Sequence, residues 1–178
     1  MKIQTVLTTL LAASTLAACA TPADPGAMAV RLTPAAEAKR SSQGVRISVL
    51  GGRQTSQLGP SSIADEDFAA ALGRSLLDAG VFRRLEQGEA SGYGLQAVIV
   101  NLEQPWFALR TKVEMEVSYS LTDQVSGAEV WKQTIRSSYT TTPLDTLDGM
   151  ARLRLANEGA ARRNIAAALV ALERVPLY

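Results

Sequence analysis

Residues 111–122, TKVEMEVSYSLT, restrict the fold more than any other part of the chain. Val113, Met115, Val117, Tyr119 and Leu121 alternate with Lys112, Glu114, Glu116, Ser118 and Ser120. A period of two sends the apolar set to one face of a strand and the charged and hydroxyl set to the other. Such a strand belongs in an antiparallel sheet covered on one side. Its neighbours fit the same sheet. In 93–102, YGLQAVIVNL, the side chains of Tyr93, Leu95, Ala97 and Ile99 point one way and those of Val98, Val100 and Leu102 the other. After a turn over Asp123–Gly127, residues 128–140 return with Trp131, Ile135 and Tyr139 on one face. Val45, Ile47 and Val49 alternate in an earlier strand that stops at Gly51-Gly52.

Two helices complete the pattern. The first spans about 64–79, with Asp65, Glu66 and Asp67 at the positive end of its dipole and Gly80 as its stop. Phe68, Leu72 and Leu76 repeat every four residues on its inner face. The acidic trio reads as helix-start charge rather than a metal site. The second helix spans about 146–174, with Ala161, Ile165, Ala168, Leu169 and Leu172 as its apolar stripe. Arg154 and Glu158 continue that stripe, and their four-residue spacing lets them pair. Because a buried unpaired charge is costly, a bend near Gly159 that turns the first half outward is expected. The order is β-α-β-β-β-α. It defines a two-layer α+β domain with a four-stranded, mainly antiparallel sheet and two helices on one face.

The amino terminus reads as an address. Lys2 precedes an uncharged, mostly apolar run, and small residues lead to Cys19. Leu16-Ala17-Ala18-Cys19 resembles the bacterial lipobox, in which the thiol takes the diacylglyceryl group and cleavage frees the cysteine amine for a further acyl chain. Cys19 is the single cysteine of the 178-residue chain. The division expected is a signal peptide over 1–18, a lipidated cysteine and flexible tether over 19–44, and a periplasmic domain over 45–178. Within the tether, Met28, Val30 and Leu32 alternate with Ala29 and Arg31, and are read as part of a linker. The residue after Cys19 is Ala20, not the Asp of the enterobacterial inner-membrane signal, so an outer-membrane anchor facing the periplasm is expected.

Composition removes several functions. The chain has no His, which excludes His-based triads and His metal ligands. One Cys cannot form an intramolecular disulfide or a Cys-rich zinc site. Lys and Arg number 18 against 17 Asp and Glu, too even a balance for a broad nucleic-acid surface. No nucleophile elbow, phosphate-cradling loop or dinucleotide fingerprint is present. No catalytic residue, metal or cofactor is assigned.

Asp67-Phe68, Ala71-Leu72, Ser75-Leu76-Leu77 and above all RLRLANEGAARRNI (152–165), together with the lipobox, resemble a widespread family of uncharacterised proteobacterial lipoproteins. The strand–helix order is also similar to the auxiliary lipoproteins of ABC-type, MCE-linked lipid transport. These resemblances imply a non-catalytic lipoprotein that acts by binding an envelope partner, in lipid or glycolipid transport. A small-ligand or lipid carrier is the alternative, and a hydrolase missed by motif reading is a third. Val98, Val100, Leu102 and Val130 are expected to form an apolar patch on the open sheet face, where an envelope protein or a second copy docks. Trp106-Phe107 is a candidate loop anchor, and Arg154–Glu158 a candidate helix ion pair.

Overall fold

The computed structural model describes residues 21–31, 41–56, 59–88, 92–105 and 109–177. Seven elements follow one another: α1 (Pro25–Met28), β1 (Gly44–Leu50), α2 (Asp65–Asp78), β2 (Gly92–Glu103), β3 (Thr111–Asp123), β4 (Glu129–Thr141) and α3 (Gly149–Leu172). The sheet order is β1-β2-β3-β4. β1 runs parallel to β2, and the other pairs are antiparallel. A parallel pair needs a crossover, which α2 supplies, whereas β2, β3 and β4 form a meander. This is the α+β architecture expected from the alternation of patterns.

α2 begins with Asp65, Glu66 and Asp67 in its first turn, and the Asp65 carboxylate accepts the Gly52 N–H at 2.7 Å. The trio therefore charges the helix start and ties down the preceding loop. Burial and the neighbouring Glu66 and Asp24 charges push the Asp67 carboxyl up from its ordinary value. Gly80, at φ +69°, ends the turn and lets the Val81 N–H reach the Leu76 carbonyl at 3.1 Å. Phe68, Leu72 and Leu76 then lie fully buried, against a sheet face carrying Leu95, Ala97, Val113, Val117, Tyr119 and Leu121. α3 brings Ala156, Ala160, Ala161 and Ala168 to the same core, and small side chains of this kind let a helix approach a sheet closely.

Three expectations are corrected. First, α3 is unbroken through Gly159, and its first half is not turned outward: Arg152, Leu153, Ala156, Asn157 and Glu158 are buried. Glu158 tolerates burial because it has partners. Its Oε1 accepts the Asp24 N–H at 3.0 Å and lies 3.9 Å from Arg154 Nε. The helix also starts at Gly149 rather than 146, because the Asp148 side chain caps it by accepting the Met150 N–H at 2.9 Å.

Second, residues 21–31 are not a free tether. α1 packs against α2 and α3, with Met28 and Ala23 buried. The Val30 N–H donates to Ser75 Oγ at 2.8 Å, and Ala23 N–H to the Ser62 carbonyl at 3.3 Å. Asp24 caps α1, and Pro25 at the first helical position has no N–H to leave unpaired. Leu32 lies outside the described residues.

Third, β2 carries a bulge. Ile99 pairs with Val117 and Asn101 with Glu116, so Val100 is an extra residue. The phase of the strand changes there. Leu102 pairs with Met115 and packs against the core instead of sharing the open face with Val98.

Candidate functional site

The stretch 152–165 shows what its unusual composition does. Arg152 Nη1 donates to the carbonyls of Thr146 and Leu147 at 2.9 and 2.8 Å, pinning the β4–α3 loop. Asn157 Nδ2 donates to the Ser61 carbonyl at 2.9 Å, while its Oδ1 accepts from Gln104 Nε2 at 2.8 Å. This joins α3 to the loop before α2 and to the end of β2. Glu158 and Arg162 hold the amino-terminal segment, the latter by donating to the Ala27 carbonyl at 3.2 Å. Gly159 faces the Tyr139 ring so closely that a Cβ there would lie 2.3 Å from the ring's Cγ. Arg163 stacks over the same ring at 4.9 Å and donates to the Ser138 carbonyl at 2.8 Å. Asn164 donates to the Ile135 carbonyl at 2.9 Å and to Ser137 Oγ at 3.2 Å, and accepts from the Tyr119 hydroxyl at 2.8 Å. Burial raises the Tyr119 pKa, keeping the phenol a neutral donor.

These side chains attach α3 to the sheet, to two loops and to the amino-terminal segment. Buried polar groups persist only when hydrogen-bonded, and here each named bond crosses between elements. Tyr139, Thr141, Asp145, Leu155, Glu158, Gly159 and Arg162 line a surface depression of about 220 Å³. Ligand pockets are larger, roughly 300–1,000 Å³. Glu158 Oε1 is taken up by the Asp24 N–H and Arg154, and the Thr141 hydroxyl that lines the depression donates to the Arg152 carbonyl at 2.9 Å. Among the described residues no group of three or more His, Cys, Asp or Glu is placed to hold a metal ion. No described helix is long and apolar enough to cross a membrane.

The residues proposed from sequence fall in different places. Arg154 and Glu158 come together as an i, i+4 pair, with Glu158 buried and Arg154 partly open. Val98 and Val100 remain on the open side of β2, Val98 half-buried and Val100 in the bulge. Leu102 does not join them. Val130 is the extra residue of a second irregularity, where Leu121 pairs with Trp131 and Thr122 with Glu129. Between β2 and Val130 lies the polar face of β3. There Glu116 accepts from Arg136 at 3.0 Å, Lys112 pairs with Glu114, and Ser120 donates to Glu129 at 2.9 Å. The four residues therefore do not form one apolar patch. Nor do the described residues 21–31 cover this face, since they lie on the helices. Trp106, Phe107 and the lipobox residues Leu16, Ala17, Ala18 and Cys19 lie outside the described residues.

Sequence reading missed one feature. Leu144 and Leu147 are strongly exposed in the β4–α3 loop, although 146 onward was expected to be helix. The signal was present in TTPLDTLDG, where two leucines stand inside a turn-forming polar run.

The molecule is thus a two-layer α+β protein whose helices cover one face of an open, mixed four-stranded sheet. The same fold occurs in a DUF330 protein from Xanthomonas campestris, with 13% identity, a TM-score of 0.59, and coverage of 79% of this chain and 89% of that one. It occurs in a hypothetical protein from Chlamydia trachomatis, with 10% identity, a TM-score of 0.53, and coverage of 74% and 96%. A PelC dodecamer from Paraburkholderia phytofirmans matches with 18% identity, a TM-score of 0.51, and coverage of 79% and 93%. These likenesses establish the fold alone. No family model matches the chain, and a search of curated proteins finds no match.

Proposed function

We propose that this chain is a non-catalytic lipoprotein of the bacterial envelope, anchored through Cys19 and acting by binding another envelope component. The observation that carries the reading is the single cysteine placed directly after Leu16-Ala17-Ala18, at the end of an uncharged apolar run. Multiple acyl chains give a lasting anchor, because one chain binds a bilayer only marginally. The fold supports the rest of the reading. Asn157, Glu158 and Asn164, buried on α3, hold that helix to neighbouring segments, and the depression beside Glu158 is small for a lipid or drug-sized ligand. That favours a binding surface over a carrier cavity.

The outer membrane, with the domain facing the periplasm, is the proposed location, because Ala20 follows Cys19. An auxiliary part in lipid or glycolipid transport is the proposed context, resting on the likeness of strand–helix order. Self-association is a further proposal. The PelC relative of this fold is a dodecamer, and β4 offers a sheet edge with no further strand beside it among the described residues.

The test is acyl labelling of the full chain in a bacterial host, followed by membrane fractionation. Wild type is expected to incorporate label and to sediment with the outer membrane. Cys19→Ala is expected to lose the label and to remain unprocessed by the lipoprotein pathway. Label that persists on Cys19→Ala overturns the reading.

A further inference from the structure

The sheet has two ends. At one end lie the carboxyl ends of β1, β2 and β4, the start of β3, and the starts of α2 and α3. The described connecting residues at this end are 51–56, 59–64, 104–105, 109–110 and 142–148. The opposite end holds the β3–β4 turn, the segment after α2 and the end of α3.

The described chain enters at the first end. Ala23 is hydrogen-bonded to Ser62 in the 59–64 stretch, and the segment then descends along the helices to Val30 at Ser75. Four residue-to-residue steps separate Cys19 from Ala23. At roughly 3.5 Å per extended residue, the lipidated position lies within about 14 Å of Ala23. Docking of residues 21–31 thus removes most of the slack that a free 25-residue tether would give.

Among the described residues, three of the four most exposed aliphatic side chains lie at that same end. Leu144 is 98% exposed, Leu147 86%, Leu109 77% and Val125 77%. Leu109, Leu144 and Leu147 occupy 109–110 and 142–148, and of the four only Val125 is at the far end. Met150, 40% exposed, adds to the group at the start of α3. The 142–148 loop is held in place by Arg152, and Asp145 shares the depression with Glu158 and Arg162, which grip the entering segment. Single exposed leucines are ordinary on a protein surface, but several on adjacent loops beside a lipid anchor are not.

We infer that this end of the domain rests on the lipid bilayer, with Leu144 and Leu147 inserted at the headgroup–acyl boundary. The inference rests on the lipoprotein reading above. The open sheet face then stands roughly perpendicular to the membrane and stays available to a partner, and the β3–β4 turn points away from it. Charge does not drive the contact, because exposed Arg53 and Arg110 are outnumbered by exposed Glu66, Glu103, Asp145 and Asp148 at the same end. Apolar insertion does, and it is insensitive to salt.

The test uses the full-length chain, processed in a bacterial host and reconstituted in vesicles of phosphatidylethanolamine and phosphatidylglycerol. Acylation occupies Cys19, so Leu147→Cys or Leu144→Cys adds the one free thiol, which takes an environment-sensitive fluorophore. Val125→Cys reports the far end. The expected result is a blue-shifted emission at 144 and 147, quenched several-fold more by acyl-chain nitroxides than the label at 125, at low and high salt alike. Equal, water-like signals from all three positions on a chain whose Cys19 is acylated by mass spectrometry overturn the inference and leave the lipoprotein reading standing. An unacylated Cys19 that itself takes the fluorophore overturns both.

Discussion

Replacing Gly159 by Ala exposes what the glycine does. In an exposed helix interior this change stabilises, by about 1 kcal/mol, because alanine loses less backbone freedom on folding. Here the added Cβ would stand 2.3, 2.4 and 2.7 Å from Cγ, Cδ1 and Cδ2 of Tyr139. Carbon atoms settle at about 3.5–4.0 Å, so the ring or α3 must retreat by more than ~1 Å. The ring cannot rotate away cheaply, since Arg163 lies over it at 4.9 Å. Overpacking of this kind costs about 1–3 kcal/mol, and contact with three ring atoms puts it at the upper end. Set against the propensity gain, the net destabilisation is about 2 kcal/mol, or roughly 4–8 °C in melting temperature for a domain of this size. The decisive assay is a double-mutant cycle by urea unfolding, with Tyr139→Ala as the second change. On that background the clash is gone, and Gly159→Ala is expected to stabilise by about 1 kcal/mol. The reversal of sign is the signature. A Gly159→Ala protein more stable than wild type with Tyr139 present would refute the close-contact argument.

Two further outcomes are expected. Val117 is fully buried between the sheet and the helices, so Val117→Asp places an unpaired charge in the core at a cost of several kcal/mol, comparable to the whole stability of a domain. Glu116→Gln, one residue away, weakens only an exposed pair with Arg136 and should cost less than about 1 kcal/mol; equal melting temperatures for the two variants would contradict the facing of β3. Glu158→Ala leaves the Asp24 N–H without its carboxylate partner, a charged hydrogen bond of about 1.5–3 kcal/mol, and should speed amide exchange at Met28 and Val30 by about 10- to 100-fold while β3 keeps its protection. Unchanged exchange at Met28 and Val30 would show that the amino-terminal segment is held by packing alone.

The elements were legible in the chain because their signals are local. The alternation over 111–122 specified a half-buried strand, the i, i+4 leucines specified α2, and short connections specified a meander. The lone cysteine after its small residues is likewise a local pattern, and the lipoprotein reading comes from sequence. Tertiary structure decided whatever depends on partners distant in the chain. Glu158 looked too costly to bury until Asp24, 134 residues away, supplied its N–H. Gly159 looked like a hinge, yet its missing side chain makes room for Tyr139. Residues 21–31 carry a composition typical of a linker, and only the space between α2 and α3 gives Met28 somewhere to be buried. One extra residue at Val100 moved Leu102 to the other face, because a period of two has no tolerance for insertion. A sequence states which side chains require burial or a partner. Which partner meets each one is fixed only when the chain has folded and brought distant groups within a few ångströms.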